Sequence, residues 1–254
     1  MTTNPIAGWL TESPHSSFND PVTLVLVETS APGKDVKSHL SLQMAEHQMP
    51  IQVVEDMANI LGWERVNSRL TPSRLQIRNG DFGEMLACRV LETFGALEIP
   101  VKKVRFKINS DQTQPGADIV GLEIEDDRIV AIHFAEAKFR TTGDTAAGNA
   151  AHQQLESWHK EEFEQIAMFI GTRLYETQRD LYSKFMDYLS AGTNRADEYH
   201  IVLVWDNERW TDTVLSNIQF SDQIDPLTIR TVLIKDLTNL TSEIYHGIEE
   251  SVRQ

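Results

Sequence analysis

Apolar and polar positions change their period several times along this chain, and each change marks an element. Val22–Glu28 (VTLVLVE) is an apolar, β-branched run closed by Ala31-Pro32-Gly33, which predicts a strand followed by a turn. Helical spacing follows over Val36–His47 and Ile51–Leu61, with Pro50 dividing the two. Residues 79–97 give the clearest helix: Phe82, Met85, Leu86, Val90, Phe94 and Leu97 recur on one side, and Gly95 stands near the end. Three strand-like runs come next, Lys103–Ile108, Asp118–Ile124 and Ile129–Lys138. Asp126-Asp127 between the second and third predicts a tight turn, so those two runs should pair as an antiparallel hairpin. A long helical stretch is expected over about Thr145–Ser190 with a break near Gly171. Two strands, Tyr199–Trp205 and Leu227–Lys235, and a helix over Ser242–Val252 close the pattern. The order α-β-β-β-α-β predicts a mixed sheet with helices on its faces, an α/β architecture.

The first 20 residues are rich in Thr, Ser, Asn and Pro and are expected to order only by docking, with Trp9-Leu10 as the anchor. No linker composition separates the N-terminal third from the rest. We therefore treat 1–75 as an N-terminal α/β subdomain, a candidate for meeting a partner, and 76–254 as the main domain.

Composition narrows the class. The chain has 254 residues, 41% apolar and 8% aromatic, which suits a folded protein with a real core. A single cysteine, Cys88, excludes a disulfide framework and a CxxC zinc site, and the expected role is a small packing residue. No apolar run approaches the ~20 residues that cross a bilayer. The N-terminus has neither a basic start nor an apolar h-region, so a cytoplasmic, reducing location is expected, with no membrane association. The net charge of −15 argues against sequence-independent nucleic-acid binding, which depends on Lys and Arg neutralising phosphates.

The sharpest chemical signal lies in Ile129–Lys138. With period 2, Ile132, Phe134, Glu136 and Lys138 share one face, while Ala131, His133, Ala135 and Ala137 share the other. A carboxylate and an ammonium side by side on a buried-looking strand need a reason, because charge is costly to bury unless paired or metal-bound. Asp118 opens the paired strand, and Glu84 lies on the preceding helix. Hard cations such as Mg²⁺ prefer oxygen ligands and are usually held by one or two carboxylates plus substrate phosphate. Asp118, Glu136 and the Ala137 carbonyl are the candidate ligands. Lys138 would orient or help deprotonate an attacking water, or stabilise charge on phosphate, and the residues leave both roles open.

Each signal has a plainer counterpart. Glu136 and Lys138 read equally as a structural ion pair, and Asp118 as a turn residue after Pro115-Gly116. Asp81-Phe82-Gly83-Glu84 has the spacing of a capping box, with Asp81 as N-cap. His133, among alanines, reads as a hydrogen-bonded packing histidine. His152 and His159 lack the i,i+4 spacing of a zinc helix. Gln153 is a better candidate for substrate contact, and the acidic run Glu156–Glu164 reads as a solvated helix face.

Glu84 on a helix, Asp118 opening a strand and Glu136-Ala137-Lys138 ending the next resemble the PD-(D/E)xK nuclease superfamily, whose core is αβββαβ. Ala117 stands where that pattern usually has Pro, so the resemblance rests on Asp118 and Glu136-Ala137-Lys138, 18 residues apart from Asp118 to Glu136, with Glu84 a further 34 upstream. Gly83-Glu84, Val104-Arg105-Phe106-Lys107, Gly116-Ala117-Asp118 and Ala135-Glu136-Ala137-Lys138-Phe139 resemble, more narrowly, the HamA family of nuclease subunits from the Hachiman anti-phage defence system. The resemblance implies a nuclease domain at 76–254 and a Mg²⁺- or Mn²⁺-dependent deoxyribonuclease. Asp118, Glu136, Lys138 and Glu84 would be its catalytic residues. It also implies a hetero-complex with a HamB-like helicase that delivers or restrains the nuclease. The chain carries no GxxxxGK[ST] of its own, so ATP-driven steps would fall to that partner. The alternative is a catalytically inactive nuclease-like fold serving as a binding or regulatory subunit of a helicase complex.

The resemblance also changes how the charge reads. Between Trp63 and Lys107 stand nine basic and five acidic residues, a net +4 that leaves −19 elsewhere. The expectation is a local phosphate track on a repelling body, one that binds DNA weakly by itself and relies on a partner.

Overall fold

The computed structural model describes residues 4–13, 22–112, 117–159, 163–192 and 196–253. Its strands are β1 (Leu10–Glu12), β2 (Val22–Glu28), β3 (Ile119–Glu125), β4 (Arg128–Arg140), β5 (Asp197–Asp206) and β6 (Leu227–Ile234). The helices before the hairpin are α1 (Pro5–Trp9), α2 (Lys34–Gln48), α3 (Ile51–Leu61), α4 (Trp63–Leu70) and α5 (Leu75–Phe94). Those after it are α6 (Ala147–Ser157), α7 (Phe163–Thr177), α8 (Arg179–Ser190), α9 (Thr213–Ser216), α10 (Leu237–His246) and α11 (Ile248–Val252).

All six strands join one sheet in the order β1-β2-β6-β5-β4-β3. The four central strands, β2, β6, β5 and β4, run parallel, and an antiparallel strand closes each edge. Parallel strands are buried on both faces, which is why Ile201–Trp205 is apolar without alternation. The β3–β4 turn is made by Asp126 and Asp127, both with positive φ (47° and 65°), the conformation of a tight hairpin turn that Asp tolerates. β2 pairs with β6, so residues before position 76 contribute strands to the same sheet as the rest.

Two apolar layers sandwich this sheet, giving the expected α/β architecture. On one face Phe82, Met85, Leu86 and Val90 of α5 pack with Leu40 and Met44 of α2 and Leu240 and Ile244 of α10, over Ala135, Val202, Val204 and Val232. On the other, Leu155, Ile170, Leu174 and Phe185 of α6–α8 cover Ile132, Phe134, Ile201 and Leu203. Trp9 and Leu10 are buried in the first layer, as an anchor should be. Among the described residues no helix is long and apolar enough to cross a membrane.

Three expectations are corrected. Lys103–Ile108 is not a strand: Lys103–Phe106 forms one turn of 3-10 helix, and Glu98 bridges β3 at Leu122 instead. The alternating pattern misleads because a strand would send Lys103, Arg105 and Lys107 to one face. The turn sends them to three separate carboxylates: Asp118, Glu46 and Asp81. The helical stretch does not break at Gly171, which lies inside α7; the break falls at Gln178, between α7 and α8. Asp81 is not an N-cap, since α5 begins six residues earlier at Leu75. The N-terminal segment beyond Ser13, the Pro115-Gly116 turn and the middle of the acidic run Glu156–Glu164 lie outside the described residues.

The contact that sets the site's geometry is between α5 and β4. A Cβ on Gly83 would lie 2.8 Å from the Cβ of Phe139, closer than packed carbons tolerate. Glycine at 83 therefore lets α5 lie against the end of β4. Phe82 meets Phe139 edge-on there, with ring centroids 6.1 Å apart. Gly83→Ala should force the two elements apart and destabilise the fold by about 1–3 kcal/mol, measured as a lowered denaturant midpoint. An unchanged midpoint would show that this approach is not tight.

Candidate metal and active site

β4 alternates as expected and ends with Glu136 and Lys138 on the same face as Ile132 and Phe134. The register Ile119↔Ala135 brings Asp118, just ahead of β3, level with this end of β4. Asp118 Oδ2 accepts a hydrogen bond from the Ala137 backbone N–H at 3.1 Å. In a strand the N–H and C=O of one residue point the same way, so the Ala137 carbonyl also faces this side. Lys138 Nζ donates to Glu136 Oε1, and to Gln154 Oε1 on α6 at 3.1 Å. Lys103 Nζ, from the 3-10 turn, donates to Asp118 Oδ1 at 3.2 Å.

α5 brings the third carboxyl. Burial, and then the Asp118 charge, push the Glu84 carboxyl up to about 8, with Lys103 and Lys107 pulling the other way. Burial and Asp118 likewise raise Glu136 well above the carboxylate range, with Lys138 opposing. His47 of α2 is fully buried, with Nε2 3.5 Å from Glu84 Oε1. Burial, reinforced by Lys102, lowers its pKa well below the ordinary value, so it stands as a neutral imidazole beside a protonated acid. No donor reaches two buried carboxyl oxygens here, Glu84 Oε1 and Glu136 Oε2, and Glu136 shares a hydrogen bond with the Asp118 carboxyl that only its protonated form can make. Buried acceptors are rarely left so, and each needs an explanation. An all-oxygen set with unfilled acceptors fits a hard divalent cation.

The remaining candidates fall elsewhere. Gln153 is exposed, and its neighbour Gln154 makes the contact with Lys138. His159 Nδ1 bonds the Tyr199 hydroxyl, and His152 is buried edge-on to Phe220. Cys88 is buried, and desolvation raises its thiol far above the reactive range. Asp81 is buried among Lys107 Nζ (2.5 Å) and Gln48 Nε2 (2.7 Å), and Arg69 donates to the Lys107 carbonyl at 2.7 Å. Of the nine cations in the basic window, Arg89, Lys103, Arg105 and Lys107 thus already hold Glu92, Asp118, Glu46 and Asp81. Lys103, Gln154 and His47 are the residues that the sequence pattern missed.

A second polar group crosses the α5 face of the sheet. Ligand atoms of His133, Glu198 and His200 lie within 4.8 Å of one another, close enough to hold a metal ion. In this arrangement Arg230 donates to His200 Nδ1 at 2.8 Å, since guanidinium cannot accept. His200 Nε2–H then donates to His133 Nδ1 at 2.8 Å, and His133 Nε2–H donates to Glu123 at 3.2 Å. Both ring nitrogens of His200 are therefore in use.

A model of the HamA family matches residues 36–251, most of the chain. The chain belongs to the HamA family. Membership makes it an anti-phage defence protein of a nuclease-like kind. The HamA match spans every element that builds the carboxylate site, from His47 through α5 and the hairpin to Gln154. No curated protein matches the chain.

The protonated acids carry a stability signature in the ion-free protein. Glu84 titrates near 8 when folded, against an ordinary 4.5, so the folded state binds the extra proton between those values. Stability from this group is full below the unfolded pKa and is lost as pH rises through about 8. Glu136, Asp81 and Glu92 shift the same way, each chiefly by burial. Denaturant midpoints measured in chelator should fall between pH 5 and 9, and Glu84→Gln should make the fall shallower. A parent curve that is flat across this range would contradict buried, protonated carboxyls.

Proposed function

We propose that this HamA-family protein is a metal-dependent DNA nuclease, a PD-(D/E)xK enzyme acting as the effector of a two-component defence system. The supporting observation is the convergence of Asp118, Glu136 and Lys138 at the end of β4 with buried carboxyl oxygens that no donor reaches. Asp118, Glu136 and the Ala137 carbonyl would hold Mg²⁺ or Mn²⁺. Bound there, the ion supplies Lewis-acid polarisation of a phosphoryl oxygen and makes water acidic enough to attack at neutral pH.

The chain's own residues do the rest. Asp118 is fixed by the Ala137 N–H, so one carboxylate oxygen is oriented before substrate arrives. Gln154 holds the Lys138 ammonium beside Glu136, within reach of a phosphodiester lying across the strand end. From there Lys138 either orients the attacking water or neutralises charge building on phosphorus. The burial of Glu84 and Glu136 keeps bulk water away and strengthens these interactions.

The −15 charge and the pairing of four basic-window cations within the fold support weak DNA binding by the isolated chain. A helicase partner in a hetero-complex would then hold the nuclease on DNA. Plasmid incubated with the protein, Mg²⁺ and that helicase should be cleaved, and Glu136→Ala or Lys138→Ala should slow cleavage by about 10²- to 10³-fold. Cleavage by the variants at the parent rate would overturn the active-site assignment. A parent that assembles with the helicase but never cleaves would support the alternative, an inactive binding subunit.

A further inference from the structure

We propose that Lys103 is a built-in competitor for the cation site: its ammonium holds Asp118 until a divalent ion displaces it, and it then turns to a DNA phosphate. The inference rests on the metal reading above and deepens it. Lys103 Nζ lies 3.2 Å from Asp118 Oδ1, an oxygen that the cation needs. Its side chain is only 12% exposed, so the pair is shielded from solvent screening. The same ammonium also acts on the Glu84 carboxyl from across the site.

The mount is rigid while the stem is not. Lys103 opens the 3-10 turn, and that turn is pinned further along by Arg105 to the Glu46 backbone and carboxylate and by Lys107 to Asp81. The backbone at 103 is thereby held in place, but four rotatable carbons carry the ammonium. A divalent cation on Asp118 would stand a few ångströms from this positive charge and repel it. The ammonium leaves along its own stem, and its natural destination at the mouth of the site is a phosphodiester oxygen. Metal and DNA then load together, because each removes what opposes the other. Without DNA, Lys103 keeps the site poorly charged with metal.

The experiment measures Mn²⁺ affinity of the full chain without DNA, by titration calorimetry with an electron-spin count of free Mn²⁺. Lys103→Gln should bind Mn²⁺ about tenfold more tightly than the parent. Lys103→Arg, which keeps the charge, should stay near the parent, and Asp118→Asn should lose most of the binding. A merely structural Lys103 would give unchanged or weaker binding in Lys103→Gln while Asp118→Asn still fails, and that result overturns the proposal. Asp118→Asn binding Mn²⁺ as the parent does would instead remove the metal assignment, and the competition with it.

Discussion

Two buried carboxyls, each within the field of a partly exposed third, are the constraint around which this fold is arranged. Glu84 and Glu136 are buried, and Asp118 adds its charge to both. Left ionised, such a group would cost several kcal/mol per charge. The ion-free chain avoids this in two ways. Protons stay on the buried acids, which is the meaning of their raised pKa values. The Lys103 ammonium neutralises the Asp118 carboxylate, and Lys138 donates to Glu136. Neither device brings a donor to Glu84 Oε1 or Glu136 Oε2. A divalent cation would do the work of protons and ammoniums at once, which makes metal affinity and proton affinity two sides of one equilibrium.

The backbone serves that convergence. Glu84 reaches the strand end because Gly83 has no side chain to hold α5 away from Phe139. Asp118 reaches it because the hairpin register sets β3 to begin opposite Ala135. Lys103 reaches it because its segment coils into a 3-10 turn instead of extending along the sheet. Lys138 is steadied from the opposite layer by Gln154 of α6. Helices from both faces and the 3-10 turn each deliver one group, and the hairpin three, to the same end of the sheet.

How much of this could be read from the sequence follows from the range of the forces involved. Glu136 and Lys138 were legible because the period of 2 in Ile129–Lys138 is a local property of the strand. Asp118 followed from the hairpin, which the Asp126-Asp127 turn announces, and the central strands from unbroken β-branched runs. What failed were segments whose conformation is set by distant partners. Lys103–Ile108 alternates as a strand should, yet three carboxylates on separate elements decide its shape. Asp81 and Glu84 match a capping box, yet burial against Gln48 and Lys107 carries the helix past them. Gln153 and Gln154 differ by about 100° of helical rotation, and only the packing of α6 against β4 chooses between them.

β4 also carries the contrast that best separates architecture from chemistry. His133 and Glu136 stand three residues apart on opposite faces, and both are buried. From Arg230 Nη1 through His200 and His133 to Glu123, three hydrogen bonds run in one continuous direction across four strands, while Arg230 Nε is left without a partner. A metal bound between the two histidines would have to take Nε2 of His200 from that chain while Arg230 still faced the other ring nitrogen. That row lowers the cost of the imidazoles inside the sheet, because each ring nitrogen of His133 and His200 has a hydrogen-bond partner. Glu136 sits on the same strand between the Lys138 ammonium and the Asp118 carboxyl, with no donor reaching its Oε2. With burial equal, the difference lies in what surrounds each: a row of hydrogen-bonded ring nitrogens around His133, and an ammonium and a second carboxyl around Glu136.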